Sequence, residues 1–450
     1  MDVKCEITNT GVKLSLDGRS FQLRFPEKVW RAYPQRRIFA DNYAFLKALH
    51  LPQLLGRNTG LNFRTSYPLF KQQFETAMLN NIPYCADVDG RPAGEDIRRF
   101  LGLEFSFGDD AASRPDFRKS LRERVVLSMS FGKDSLLSYA IAREIGLAPA
   151  LVMSLDNDCP IECRYKLRIA KKFCAEFNED IQLIRNDTGV IHRWKYWGVP
   201  RTEWGFGHLI TEYCLHAFPF AYYHGARHIL LGSEQNMNQS YTSGEGYKCY
   251  PGYDGSSEWT LELAKMARAL SGNQMTVMSL IEPLNNLAII RILHTRYPEI
   301  AKYQMSCFPD ENRHGKKHFW CGHCSKCARM FIFMKANGID PGTVGLRTDM
   351  FQAQCRDLFP LFGLKSKRGK TVGYDATPVG RDEQLHAFHL ALENGARGTL
   401  IDLFRRTHLR EAERREAELH DAYFTVHDSR TMPAGIAKKV KRIYASSLER

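Results

Sequence analysis

Four short runs almost free of charge recur between residues 120 and 235: VVLSM at 125–129, ALVMSL at 150–155, IQLIR at 181–185 and HILLG at 228–232. Stretches of helical character separate them, at 135–145, 161–177 and 208–224. A strand buried on both faces reads as a near-continuous apolar run, and strands alternating with helices build a parallel sheet covered on both sides. The pattern predicts an α/β fold with a parallel twisted sheet and helices on both faces. Ligands in such sheets bind beyond the carboxyl ends of the strands.

The flanking regions follow other rhythms. VKCEITNTGVKLSLDGRSFQLRF alternates apolar and polar residues around Asp17-Gly18, which predicts a β-hairpin. DNYAFLKALHLPQLL reads as helix and GLNFRTSYPLF as extended chain, so residues 1–110 form an amino-terminal α+β module. The polar, proline-containing stretch FGDDAASRPDF at 107–117 marks its end. The α/β unit then takes 118–300, with a Gly- and Tyr-rich loop after 236 and helices near 256–270 and 284–296. A cysteine-rich segment occupies 301–345, and 346–450 is mostly helical and charged. There, HLREAERREAELHDAY reads as a solvated helix face, and Lys438, Lys439, Lys441 and Arg442 as a fraying basic terminus in preference to a polyanion contact.

The turn after the first apolar run is where chemistry enters. Ser130, Gly132, Lys133, Asp134 and Ser135 stand at a strand-to-helix junction. Small residues there leave backbone N–H groups pointing outward, and the first turn of the helix adds its own unpaired donors, which together make an anion cradle. A plain helix cap is the alternative, because Asp134 and Ser135 both cap well. Beyond the second strand, SLDND places Asp156, Asn157 and Asp158 at a strand end.

Cys307, Cys321, Cys324 and Cys327 follow the pattern C-x13-C-x2-C-x2-C. Thiolates two residues apart in a tight knuckle share a centre, and four of them with no open position favour structural Zn²⁺ over an iron–sulfur cluster. His314, His318 and His323 lie close in sequence but are not needed as ligands.

Composition narrows the setting. The chain has 450 residues and is 44% hydrophobic, enough for two or three domains. No run approaches a membrane span, and the amino terminus lacks a signal-peptide layout, so a cytoplasmic protein is expected. In a reducing compartment the 12 cysteines read as buried thiols and a metal site. The net charge of +13 points to an anionic partner without choosing among nucleotide, acidic metabolite and nucleic acid, the last not favoured.

The loop resembles the PP-loop of the ATP pyrophosphatase superfamily, Ser-Gly-Gly-x-Asp-Ser. Ser130, Gly132, Lys133, Asp134 and Ser135 match, and Phe131 replaces the first glycine. With Ser306-Cys307 and the later WCGHCSKC, the chain is similar to 7-cyano-7-deazaguanine synthase. It is more similar still to the muramoyl-alanyl-glutamate epimerase family, through WGFGHLITEYCLHAFPFAYYHGARHILLGSEQN and EPLNNLAIIRIL. The resemblance covers about 120–335. It implies an adenine nucleotide alpha hydrolase-like fold, with ATP cleaved to AMP and pyrophosphate while a substrate carboxylate is adenylated. Ser130, Gly132, Lys133, Asp134, Ser135 and Asp156 would bind ATP and Mg²⁺, with Lys133, Asp134 and Glu234 catalytic and Glu234 as general base or Mg²⁺ ligand. The expected reaction is epimerisation of a terminal glutamate in a peptidoglycan precursor. Amide or nitrile formation on a deazaguanine-type carboxylate and tRNA modification are the alternatives. Lys195, Arg201, Lys248 and Arg313 offer charge for an acidic substrate, and no spacing selects among them.

Overall fold

The computed structural model describes residues 1–57, 60–311, 313–316, 319–363 and 373–449. Among them ten strands make one sheet: β1 (Asp2–Ile7), β2 (Gly11–Leu16), β3 (Arg19–Arg24), β4 (Leu61–Ser66), β5 (Phe105–Asp109), β6 (Arg122–Ser128), β7 (Ala148–Asp156), β8 (Ile181–Asn186), β9 (Ala226–Leu230) and β10 (Thr276–Met278). Their spatial order is β10-β9-β6-β7-β8-β3-β2-β1-β4-β5. The five strands from β10 to β8 are mutually parallel. β10 is three residues long, too short to stand out as an apolar run.

The expected hairpin forms, with β2 pairing antiparallel to β1 and β3. Its outer strand also pairs antiparallel with β8, through Leu23–Asn186 and Arg24–Arg185. The amino-terminal region therefore extends the same sheet.

Alternation along the buried strands sorts the core onto two faces. Val126, Val152, Ile184, Ile229 and Val277 point to one face, where α1 (Arg36–Ala48), α2 (Lys71–Asp89), α5 (Leu209–His224) and α6 (Ser257–Ser271) gather. Val125, Leu127, Leu151, Met153, Leu230 and Met278 point to the other, covered by α3 (Lys133–Glu144), α4 (Pro160–Phe177), α7 (Asn286–Arg296), α8 (Ser325–Ala336) and α9 (Gly380–Glu393). Two faces lined with apolar side chains explain why these strands read as unbroken hydrophobic runs.

The carboxyl-terminal tail is a docked helix, α10 (Ala434–Leu448), with Val440 and Tyr444 fully buried. The Tyr444 hydroxyl donates to the Leu280 carbonyl at 2.9 Å. Lys441 pairs with Asp428. The expected fraying end is thus held by an apolar stripe hidden among its lysines. The expected single helix over 408–423 is broken in two, Leu409–Arg414 and Glu416–Phe424.

Candidate functional site

After β6 the chain moves to β7 and β8 on one side, then returns to β9 and β10 on the other. The order reverses at β6, and in open α/β sheets the crevice at such a reversal, beyond the carboxyl ends of the strands, receives ligand. Loop 129–132 leaves β6 there and leads into α3. The strand across the crevice, β9, ends just before Gly232-Ser233-Glu234.

The structure brings Ser130, Gly132, Lys133, Asp134, Ser135 and Glu234 together. The Ser135 hydroxyl accepts from the Ser130 N–H and donates to the Gly132 carbonyl, both at 3.2 Å. The Gly132 N–H donates to Ser130 Oγ at 3.3 Å. Gly132 occupies the cap position of α3 and has no side chain to cap with, while Asp134 turns to Lys133 instead. The plain-cap reading of this turn is not what the side chains do.

Phe131 accounts for the missing glycine. Its φ is +58°, the left-handed conformation a glycine adopts without cost, and its side chain is fully buried. The ring meets Phe173 edge-on at 5.4 Å. The loop thus keeps its glycine-like backbone and sends the extra side chain into the core, away from the crevice.

Lys133 Nζ donates to Asp134 and, at 2.5 Å, to Glu234 Oε2. Burial alone would push its ammonium down, and the two carboxylates more than reverse that, so Lys133 stays charged. One cation shared between two carboxylates leaves one of them short. Glu234 is the more buried of the two, at 6% side-chain exposure against 33% for Asp134. Burial and the Asp134 charge raise Glu234 to about 7, against the pull of Lys133. A side-chain cap, the bland role for Glu234, is not made. The approach is close: a Cβ on Gly232 would stand 3.1 Å from Asp134 Cβ.

A polar layer that sequence reasoning missed surrounds this cluster. Arg329, partly buried on α8, faces Asp375 at 3.6 Å, and the charges of Asp375 and Glu234 help to keep it protonated. Glu383 accepts from Asn236 at 2.9 Å, from Asn286 at 3.0 Å and from the Leu287 N–H at 3.1 Å. Asn236 and Asn286 belong to the GSEQN and EPLNN stretches, so a signal for them was present. Nothing in the sequence tied Asp375 or Glu383 to residue 234.

Asp156, at the end of β7, belongs to a second network. It accepts from Asn186 at 2.7 Å, Ser154 at 2.8 Å and Tyr213 at 3.1 Å. Burial, then the charges of Glu212 and Asp158, raise it to about 6. Asn186 also donates to Glu212, which forms a buried ion pair with Lys47 of α1 at 2.9 Å. Burial would raise Glu212; Lys47 and its neighbours instead hold it well below the usual carboxylate range. Asp158 pairs with Arg193 and, at 3.5 Å, with His192.

The Gly- and Tyr-rich loop after 236 contains a short hairpin, Tyr241–Thr242 with Lys248–Cys249. It is tied to the amino-terminal region by Tyr241 to Asp87 and by the Ala93 N–H to Glu245, both at 2.7 Å. Beside it lies a cleft of about 420 Å³ whose lining includes Gln235, Lys248, Tyr250 and Arg430 together with the acidic Glu258 and Asp428.

Cys307, Cys321, Cys324 and Cys327 are all buried, with each sulfur within 4.8 Å of the others. Cys327 Sγ stands 3.7 Å from Cys321 Sγ and 3.5 Å from each of the other two. Four thiolates at about 2.3 Å from a tetrahedral Zn²⁺ would be about 3.8 Å apart, so the set fits that ion. N–H groups of Cys321, His323 and Cys327 point at the sulfurs of Cys307, Cys321 and Cys324 at 3.3–3.5 Å, which favours the thiolate form. Gly322 has φ +66°, and a Cβ there would fall 2.3 Å from Thr348 Oγ1. His314 and His323 stack on each other at 3.7 Å. His318 and the Arg313 side chain lie outside the described residues.

No protein-family model matches this chain, and no curated protein matches it. No helix among the described residues is long and apolar enough to cross a membrane.

Proposed function

We propose that the chain is an ATP-dependent enzyme that adenylates a substrate carboxylate and releases pyrophosphate. The observation that carries this reading is the donor-rich loop at the reversal point of a parallel sheet, followed at once by a buried lysine held between two carboxylates. The N–H groups of Ser130 and Gly132 and the Ser135 hydroxyl, which bond one another within the loop, would turn to a departing pyrophosphate when it takes the place of those internal acceptors. Lys133 offers charge, and Asp134 is a carboxylate suited to Mg²⁺. Making the leaving group easier to expel is what converts an inert carboxylate into a reactive acyl-adenylate.

Once the acid is activated, its α-proton is more acidic. Glu234, poised near neutrality, suits a general base that takes the proton and returns it, as epimerisation of a terminal glutamate requires. Lys248 and Arg430, which share the cleft beside the hairpin with Glu258 and Asp428, offer positive charge to an acidic substrate. Amidation at a deazaguanine-type carboxylate is the second reading; it shares the adenylation step and has no need of a two-way base.

Purified protein incubated with ATP, Mg²⁺ and candidate acids should form AMP and pyrophosphate in equal amounts. ADP and orthophosphate as the main products would overturn the reading. Solvent deuterium entering the α-position of the acid separates epimerisation from amidation.

A further inference from the structure

One segment touches both the loop and the cysteine centre. The Met305 N–H donates to the Phe131 carbonyl at 2.7 Å. Two residues on, Cys307 Sγ accepts from the Cys321 N–H at 3.3 Å within the four-sulfur set. Ser306 is therefore clamped between a hydrogen bond to the loop and a thiolate of the metal centre.

Its hydroxyl faces the loop. A Cβ on Gly132 would lie 3.5 Å from Ser306 Oγ and 3.4 Å from Ser130 Oγ, so two hydroxyls flank the bare Cα of that glycine. Ser306 is only partly buried, and its hydroxyl has no hydrogen-bond partner among the described residues. A fixed backbone and a free hydroxyl set beside the bare Cα of a glycine suit a donor to an anion held by the loop.

We propose that Ser306 is a further donor to the pyrophosphate-type anion held by loop 130–135, and that metal in the cysteine centre is what positions it. The claim rests on the reading of that loop as a phosphate cradle. The centre then has a role beyond stapling the fold: without its ion, Cys307 is released, and the 305–307 segment loses one of its two anchors. Two adjacent hydroxyls grip a tetrahedral oxyanion better than one because the second is already oriented when the ligand arrives.

The test is calorimetric titration with magnesium pyrophosphate and with a non-hydrolysable ATP analogue, on wild type, Ser306→Ala and Ser306→Thr. Each is titrated with metal bound and after chelation, alongside thermal melts. Ser306→Ala should bind pyrophosphate about ten- to a hundred-fold more weakly with an unchanged melt, the range expected for one hydrogen bond to a charged group. Ser306→Thr should recover most of that loss. Chelation should weaken wild type by a similar factor and add little to Ser306→Ala. Equal binding by wild type and Ser306→Ala overturns the donor role. Equal losses in both proteins on chelation overturn the positioning role. Wild type that binds neither ligand overturns the loop reading itself, and the Ser306 claim with it. If chelation melts the protein, the comparison of Ser306→Ala with Ser306→Thr still decides the donor role.

Discussion

Glu234 shows how much one residue's surroundings matter. Unfolded, its carboxyl would titrate near 4.5; folded, burial moves it to about 7. Between those values the folded chain holds a proton the unfolded chain has released. Folding is therefore favoured at the acid end of this window, and the contribution is lost as pH rises through about 7. The base form gains in the opposite direction. We expect the α-proton exchange rate to rise with pH around a midpoint near 7, and Glu234→Gln to abolish both the rate limb and this part of the stability slope. A pH–rate profile of the variant that keeps the limb would exclude Glu234 as the base. Asp134→Asn isolates the other carboxylate. Lys133 retains Glu234 as a partner, so the fold should survive, with kcat for pyrophosphate release falling about 10²- to 10³-fold. Steady-state assays beside thermal melts read both quantities, and near-normal turnover would reduce the loop to a turn.

At the scale of elements, the strand–loop–helix unit sets two effects of opposite sign against each other at Phe131. The left-handed backbone costs about 1–2 kcal/mol in a residue that carries a Cβ. A buried phenylalanine removed from a packed core costs about 3–5 kcal/mol. Packing wins, so Phe131→Gly should destabilise by roughly 2–3 kcal/mol even though it restores the glycine of the resembling families. Denaturant melts measure it, and a more stable variant would mean that strain dominates. The knuckle and α8 form a second such unit. Cys324 caps α8 by accepting from the Cys327 N–H, and Arg329 follows one turn later. The cysteine spacing was plain in the sequence. That its helix would bring the charge of Arg329 to bear on Glu234 was not, because proximity to residue 234 depends on where α8 packs and leaves no local pattern.

Across the whole molecule, the amino-terminal region and the parallel sheet share one face of the core. Tyr43, Phe45 and Trp30 pack in the same cluster as Val126, Val152 and Ile229, and β3 pairs with β8. Removing residues 1–117 would expose that face, leave β8 paired with β7 alone and leave Glu212 without Lys47. A buried charge stripped of its partner costs about 3–5 kcal/mol by itself. We expect the truncated chain to be insoluble or to lack a cooperative melt. A soluble, sharply melting product would show that residues 118–450 fold alone, as the shift in pattern at 107–117 first suggests.

The sequence by itself determined the strands from β6 to β9, the helices between them, the turn at 130–135 and the four cysteines. Each of these is written in a local period or spacing. A strand buried on both faces has to be apolar throughout, a turn that presents donors has to be small, and a knuckle has to place its thiols two residues apart. Only the tertiary structure decided that strand order reverses at β6 and that the amino-terminal hairpin continues the sheet. It alone brought Glu234, Arg329 and Glu383 around Lys133, and it set Ser306 between the loop and the cysteines. These are contacts between residues far apart in the chain, fixed by which apolar faces meet, and burial of a charge beside another charge has no signature until those faces have closed.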